Sequence, residues 1–342
     1  NPNVLSDGSL WHMWYDFQGI HTAIGAGIYH ATSDCCPGVA GLTKLLVIPA
    51  AAVTAGSEGA FFQTDVDLSN ASDRTVQYEF LWLPRGENNA DPTTSETFTL
   101  GAGMSARYTN VLTEVFGLEP DSLGALKLVA STDSVIGMSR TYNVPSGEAA
   151  GTFGQGLPAI RETDMIMGTA PQRILFLSEN DDFRANVGCA NGTDEDLAIS
   201  VGIFDDEGSL LDTRTMELGP YANDQLNQVL RDWAPTNGYV DVWADRDDAL
   251  YTCYGSMLDN LTSDPTTILP QVPSDDTIFI PAAALAAGAE GSFFTTDLDL
   301  NNAGSTDVTY ELLWLPRGED NIDPMRSDTF SLVAGSVSYT HL

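Results

Sequence analysis

An all-β chain of tandem antiparallel β-sandwich domains, Ig-like or jelly-roll, with the last domain truncated, is predicted by three observations on the 342 residues. Short apolar–polar alternations recur, with Gly, Pro, Asn and Asp between them. One long stretch is written twice. A third stretch of related pattern lies between the two copies.

The alternations define the strands. In VQYEFLWL, residues 76–83, Val76, Tyr78, Phe80 and Trp82 fall on one face, while Gln77 and Glu79 fall on the other. Successive side chains of a strand leave opposite faces, so period two with β-branched and aromatic residues predicts a half-buried strand. Further strands are read at LLVIPA, FFQTDVDL, ETFTL, ALKLVA, SVIGMSRTY and GTFGQGLPA. YTNVLTEVFG spaces Val111, Val115 and Phe116 as one or two helical turns closed by Gly117. Roughly seven short strands in about 115 residues favour two packed antiparallel sheets.

The repeat defines the domains. A shift of 232 positions aligns residues 48–100 with 280–332 without a gap, and 34 of the 53 positions are identical. The loop LWLPRGENNADP returns as LWLPRGEDNIDP. Between the copies, FRANVGCANGT parallels FQTDVDLSNAS, TMELGPYANDQLNQVL parallels TFTLGAGMSARYTNVL, and GYVDVWAD parallels GALKLVAS. The order is therefore A, B, A′. Module A covers 45–165, module B 171–272 and the truncated repeat A′ 277–336. Units of this length bury their own cores, which makes a domain array and not a solenoid. Residues 337–342, VSYTHL, read as the translation of a common sequencing adapter, and the chain is read as a fragment.

Charge narrows the partners. Forty-eight acidic residues face fourteen basic ones, a net charge of −34. The only lysines are Lys44 and Lys127. Such a surface repels phosphate backbones and anionic lipid, which argues against nucleic acid and membrane surfaces. No apolar run reaches the ~18 residues of a membrane span. The acidity suits a highly soluble extracellular protein, a salty habitat or a cation-gathering surface, the first being favoured.

Two resemblances follow from these motifs. TDVDLSN, SRTYN (139–143) and GTFGQGLPA (151–159) resemble tandem β-sandwich modules of secreted bacterial multidomain proteins. This implies a secreted or cell-surface accessory role and carries no catalytic residues. Module B departs from the pattern, with YGSMLDN in place of SRTYN. In residues 1–44, DGSLWHMWYDF followed by GIYHATSD resembles one blade of the five-bladed propeller glycosidases. That implies an enzyme-like propeller ahead of the array.

The histidines are His12, His21, His30 and His341, none inside the array proper. Histidine-based nucleophile systems and histidine-ligated zinc are therefore not expected in the modules. Glu87, Asn89 and Asp91, mirrored by Glu319, Asn321 and Asp323, offer alternating oxygen ligands of the kind calcium takes. The full DxDxDG spacing is missing, and turns are rich in such residues, so a solvated turn is preferred. Arg85 and Arg317 are expected to pair with local carboxylates. Trp82 and Trp314 share the apolar face of their strands and are read as core. Tyr239, Asp241 and Trp243 point outward from GYVDVWA and could stack a sugar ring, or be covered by a neighbouring domain, the preferred alternative. Cys189 and Cys253 occupy positions aligned with Leu68 and Met138, both read as inward, and form a disulfide or two buried thiols.

The leading expectation is a non-catalytic extracellular array acting as spacer, adhesion surface or accessory binding region, with no required cofactor. Glycans or other surface proteins are its expected partners. The alternative is a fragment of a secreted carbohydrate-active enzyme.

Overall fold

The computed structural model describes residues 4–6, 11–13, 41–56, 59–143, 151–274 and 277–341, with backbone alone at 4–6, 11–13, 290 and 339–341. The chain divides into two compact units, Asn1–Cys36 and Pro37–Leu342. In the first, β1 (Val4–Ser6) pairs antiparallel with β2 (Trp11–Met13). The remainder of the blade-like stretch, including His21, His30, Cys35 and Cys36, lies outside the described residues.

The second unit is built from antiparallel strands. Module A comprises β3 (Lys44–Ala55), β4 (Phe61–Asn70), β5 (Val76–Pro84), β6 (Thr93–Thr94), β7 (Phe98–Leu100), β8 (Ser105–Tyr108), α1 (Val111–Phe116), β9 (Ser122–Ala130), β10 (Val135–Asn143), β11 (Phe153–Pro158) and β12 (Ile160–Arg161). One layer runs β7–β5–β9–β3, and the other runs β8–β4–β10–β11. The far end of β3 crosses to pair with the start of β4, so pairing is continuous between the layers. Leu46, Ile48, Val66, Leu68, Phe80, Trp82, Leu126 and Leu128 fill the space between them. Each comes from the apolar half of an alternating strand, which is why the period-two pattern builds a sandwich.

After β13 (Ile166–Met167), module B repeats this plan with β14 (Gln172–Glu179), β15 (Phe183–Asn191), β16 (Leu197–Asp205), β17 (Leu210–Leu218), β18 (Asn223–Leu226), β19 (Thr236–Ala244), β20 (Leu250–Asp259) and β21 (Pro265–Ile268). Its layers run β17–β16–β19–β14 and β18–β15–β20–β21, the same strand order as in module A. A separate apolar core lies between them. Cys189 and Cys253 face each other across β15 and β20 and form a disulfide within that core. Their counterparts in module A need correction. The register sets Leu68 opposite Gly137, and Met138 is 47% exposed on the outer face.

Module A′ comprises β22 (Ala286–Ala287), β23 (Phe293–Phe294), β24 (Asp297–Asn301), β25 (Val308–Tyr310), β26 (Leu313–Trp314), β27 (Met325–Arg326), β28 (Phe330–Leu332) and β29 (Val337–His341). Its register copies module A: Asn301 pairs with Val337 as Ser69 pairs with Ser105. Residues 337–341, set outside the repeat by their sequence, thus form a strand in the place of β8. Among the described residues no strand of A′ takes the places of β9, β10 and β11. Trp82 is buried under β9, whereas Trp314 is 46% exposed, so only the first of these tryptophans is core.

Candidate functional site

The residues nominated as binding sites converge on the seams between modules. The outer face of the β3–β9–β5 layer in A carries Leu45, Val47, Leu83, Ala125 and Lys127, the odd members of strands whose even members fill the core. Val47 and Leu45 pack with Met165 at the end of module A and with Ala190 and Leu250 of module B, and Leu83 and Ala125 pack with Tyr221. The second covered face explains why Leu83 of β5 is buried at the parity where alternation predicted a wet face.

The twice-written loop clamps this first seam. Gly86, at φ +72, has the left-handed backbone that favours glycine, and its amide donates to the Asn223 carbonyl at 2.9 Å. The Asn89 backbone amide donates to Pro220 O at 2.9 Å. The Asn89 side-chain amide donates to Pro84 O at 3.1 Å within its own loop and to Tyr221 O at 3.2 Å across the seam. Asn223 returns a bond to Leu83 O at 2.9 Å. Lys127, one of the two lysines, is buried with its ammonium 3.7 Å from the centre of the Tyr221 ring. A cation over an aromatic face, shielded from water, is worth about 2 kcal/mol.

The structure thus assigns Asn89 to the seam and leaves Glu87 and Asp91 exposed. In A′, Asn321 keeps the bond inside its own loop, to Pro316 O at 3.2 Å, without a cross-seam bond among the described residues, and Glu319 and Asp323 are exposed. Among the described residues no three His, Cys, Asp or Glu side chains are grouped to hold a metal ion. Arg85 forms none of the ion pairs found among the described residues, and its charge acts on Tyr254 of module B. Burial raises the Tyr254 phenol and Arg85 partly offsets this. The phenol donates to Gln225 Oε1 at 2.7 Å.

The second seam covers the outer face of the β14–β19–β16 layer. Tyr239, Asp241 and Trp243 do point outward from β19, but they form no open platform. Tyr239 is 2% exposed, its ring stacks on Phe204 at 4.9 Å, and its hydroxyl donates to Gly335 O at 3.1 Å. Arg173 lies 4.1 Å from the Tyr239 ring centre and grips Asp241 with two bonds of 2.7 and 2.6 Å. Burial opposes the Arg173 charge, yet the bonds and charge of Asp241 outweigh it and hold its pKa above the usual value. The guanidinium also donates to Asn301 of A′. Val337 donates its amide to Asp206 O at 2.9 Å, and a Cβ on Gly208 would meet Gly335 O at 2.4 Å, so this backbone approach excludes any larger residue at 208. Trp243 is half-buried, lying over Gly202 of the adjacent strand.

Asp299 marks this seam chemically. Both carboxylate oxygens are buried without a hydrogen-bond partner among the described residues. Burial, then the neighbouring Asp297 charge, pushes its pKa up to about 7. The Phe176 amide opposes the rise only partly and falls short of hydrogen-bond geometry. The matching Asp67 of module A instead binds Arg107 at 2.7 and 2.5 Å, which holds it below the usual carboxylate range.

Sequence reasoning missed Lys127, Tyr221, Arg173 and Asp299 as seam residues. A lysine inside the apolar strand ALKLVA, in a chain with two lysines, was the one available signal. It also missed Asn70, Asn191 and Asn302, although they sit at one position of the aligned repeats. Comparison with family models, with curated proteins and with solved structures finds no match to this chain.

Proposed function

We propose that residues 37–342 act as a non-catalytic spacer in a larger secreted or cell-surface protein, with sandwiches locked face to face through dedicated seams. One observation carries this reading: the loop and the aromatic face that look like ligand sites are already filled by the neighbouring module. A ligand reaching either would first have to break several hydrogen bonds and re-expose buried apolar surface. The Cys189–Cys253 disulfide suits an oxidising compartment, as expected outside the cell.

The test is to assay the intact chain against a panel of glycans for both binding and hydrolysis. Neither is expected. Turnover that vanishes on a single Asp or Glu substitution within residues 45–272 would defeat the spacer reading in favour of an enzyme.

A further inference from the structure

The two seams obey one rule. In each, the outer face of one module's β5-type layer receives the outer face of the next module's β4-type layer: A receives B, and B receives A′. We infer that the second copy of the loop, residues 316–323, is a docking face for a further B-type sandwich, recognised through a Gly-Pro-Tyr-Ala-Asn corner like residues 219–223. This rests on the proposed role of the seams as structural joints.

Three features of A′ support that occupant. The loop reproduces the receiving geometry, with Gly318 at φ +79 where Gly86 is at +72, and with Asn321 holding Pro316 O as Asn89 holds Pro84 O. The apolar residue that Tyr221 of B covers in A is uncovered here: Leu315 is 39% exposed, against 2% for Leu83. Among the described residues the Gly318 amide and the second proton of the Asn321 side-chain amide have no partner like those that Asn223 and Tyr221 supply in A. The partner must therefore offer two backbone carbonyls on one tight corner, an asparagine amide for Leu315 O, and a tyrosine ring against the apolar strand. Module B has these groups in that arrangement, and its own corner is already taken by the first loop.

The experiment replaces residues 337–342 by a second copy of residues 105–274, which completes A′ and appends a B-type module to the full chain. Hydrogen exchange is followed in peptides 84–91 and 316–323, whose different masses separate them. Protection of 316–323 is expected to rise by at least tenfold over the parent chain, to the level of 84–91. Asn321→Ala is expected to lower it selectively. Free exchange in 316–323, with 84–91 protected and the appended disulfide formed, would overturn the inference while sparing the spacer reading. Free exchange in both peptides would overturn both. Equal protection in the parent and extended chains would overturn the inference too, since the loop would not need the partner.

Discussion

Asn70, Asn191 and Asn302 do the same work in three modules. The Asn70 side-chain amide donates to the carbonyls of Arg74, Leu100 and Gly101 at 2.7, 3.1 and 2.9 Å, while its oxygen accepts from the Ser72 amide at 3.0 Å. Asn191 binds Glu195, Leu218 and Gly219 in the same way, and Asn302 binds Thr306 and Leu332. Only a short primary amide offers two donors and one acceptor at such a buried corner. Asn70→Ala strands several buried backbone groups, and chemical denaturation of the chain is expected to show a loss of about 3 kcal/mol in module A. Asn70→Asp is not expected to rescue it, because a carboxylate cannot donate to the three carbonyls.

Asp299 supplies a second prediction at this scale. Its pKa rises from 3.8 to about 7 in the docked chain. Below pH 3.8 both docked and unfolded forms are protonated and the group carries no penalty. As pH climbs toward 7 the unfolded form releases its proton while the docked form retains it, so the cost of docking grows, and above 7 it is constant. The B–A′ seam is therefore expected to loosen between about pH 4 and pH 7. Asp299→Asn should flatten that profile and protect the seam at pH 8, as read by hydrogen exchange across residues 297–301.

At the scale of elements, the loop between β5 and β6 shows what its letters did and did not reveal. The pattern of Glu, Asn and Asp is the same in both copies, and its reading as a turn needed only local chemistry. That Asn89 reaches across to Tyr221 could not be read there, because the partner lies 132 residues away. Calcium and magnesium are expected to raise the melting temperature of the chain equally, through screening of the acidic surface. Glu87→Gln with Asp91→Asn should be nearly neutral. A calcium-specific gain lost in that double variant would show a metal site instead. The β15–β20 pair carries the same lesson from the other side. Two cysteines at aligned repeat positions left a disulfide and two buried thiols both open, and the register that joins them, Cys189 against Cys253 with Leu68 against Gly137 in module A, came only from strand pairing.

At the scale of the whole molecule, the seams couple modules that have separate cores. Lys127 is the clearest lever, since its charge is buried between A and B against Tyr221. Lys127→Ala is expected to weaken the A–B seam by about 2 kcal/mol. Calorimetry should then show one cooperative transition for A and B resolving into two. A double-mutant cycle with Tyr221→Leu should return a coupling of similar size, whereas additive effects would place Lys127 outside the joint. The net charge of −34 opposes compaction throughout, so added salt should raise both transitions.

The sequence by itself determined that this protein is all-β, that its strands have one strongly apolar face, and that one module is written twice around a divergent relative. These are consequences of backbone period and chain order, which act within a few residues or along an alignment. Tertiary structure alone decided what lies over the second face of each sheet. Val76 and Phe80 look inward whatever surrounds them, but Leu83 and Tyr239 are buried where another module sits above them. Trp82 and Trp314 occupy the same place in the same motif, yet one is buried and the other is not. Alternation states that two faces differ. Which groups cover them depends on packing between residues far apart in the chain, and no local period encodes that.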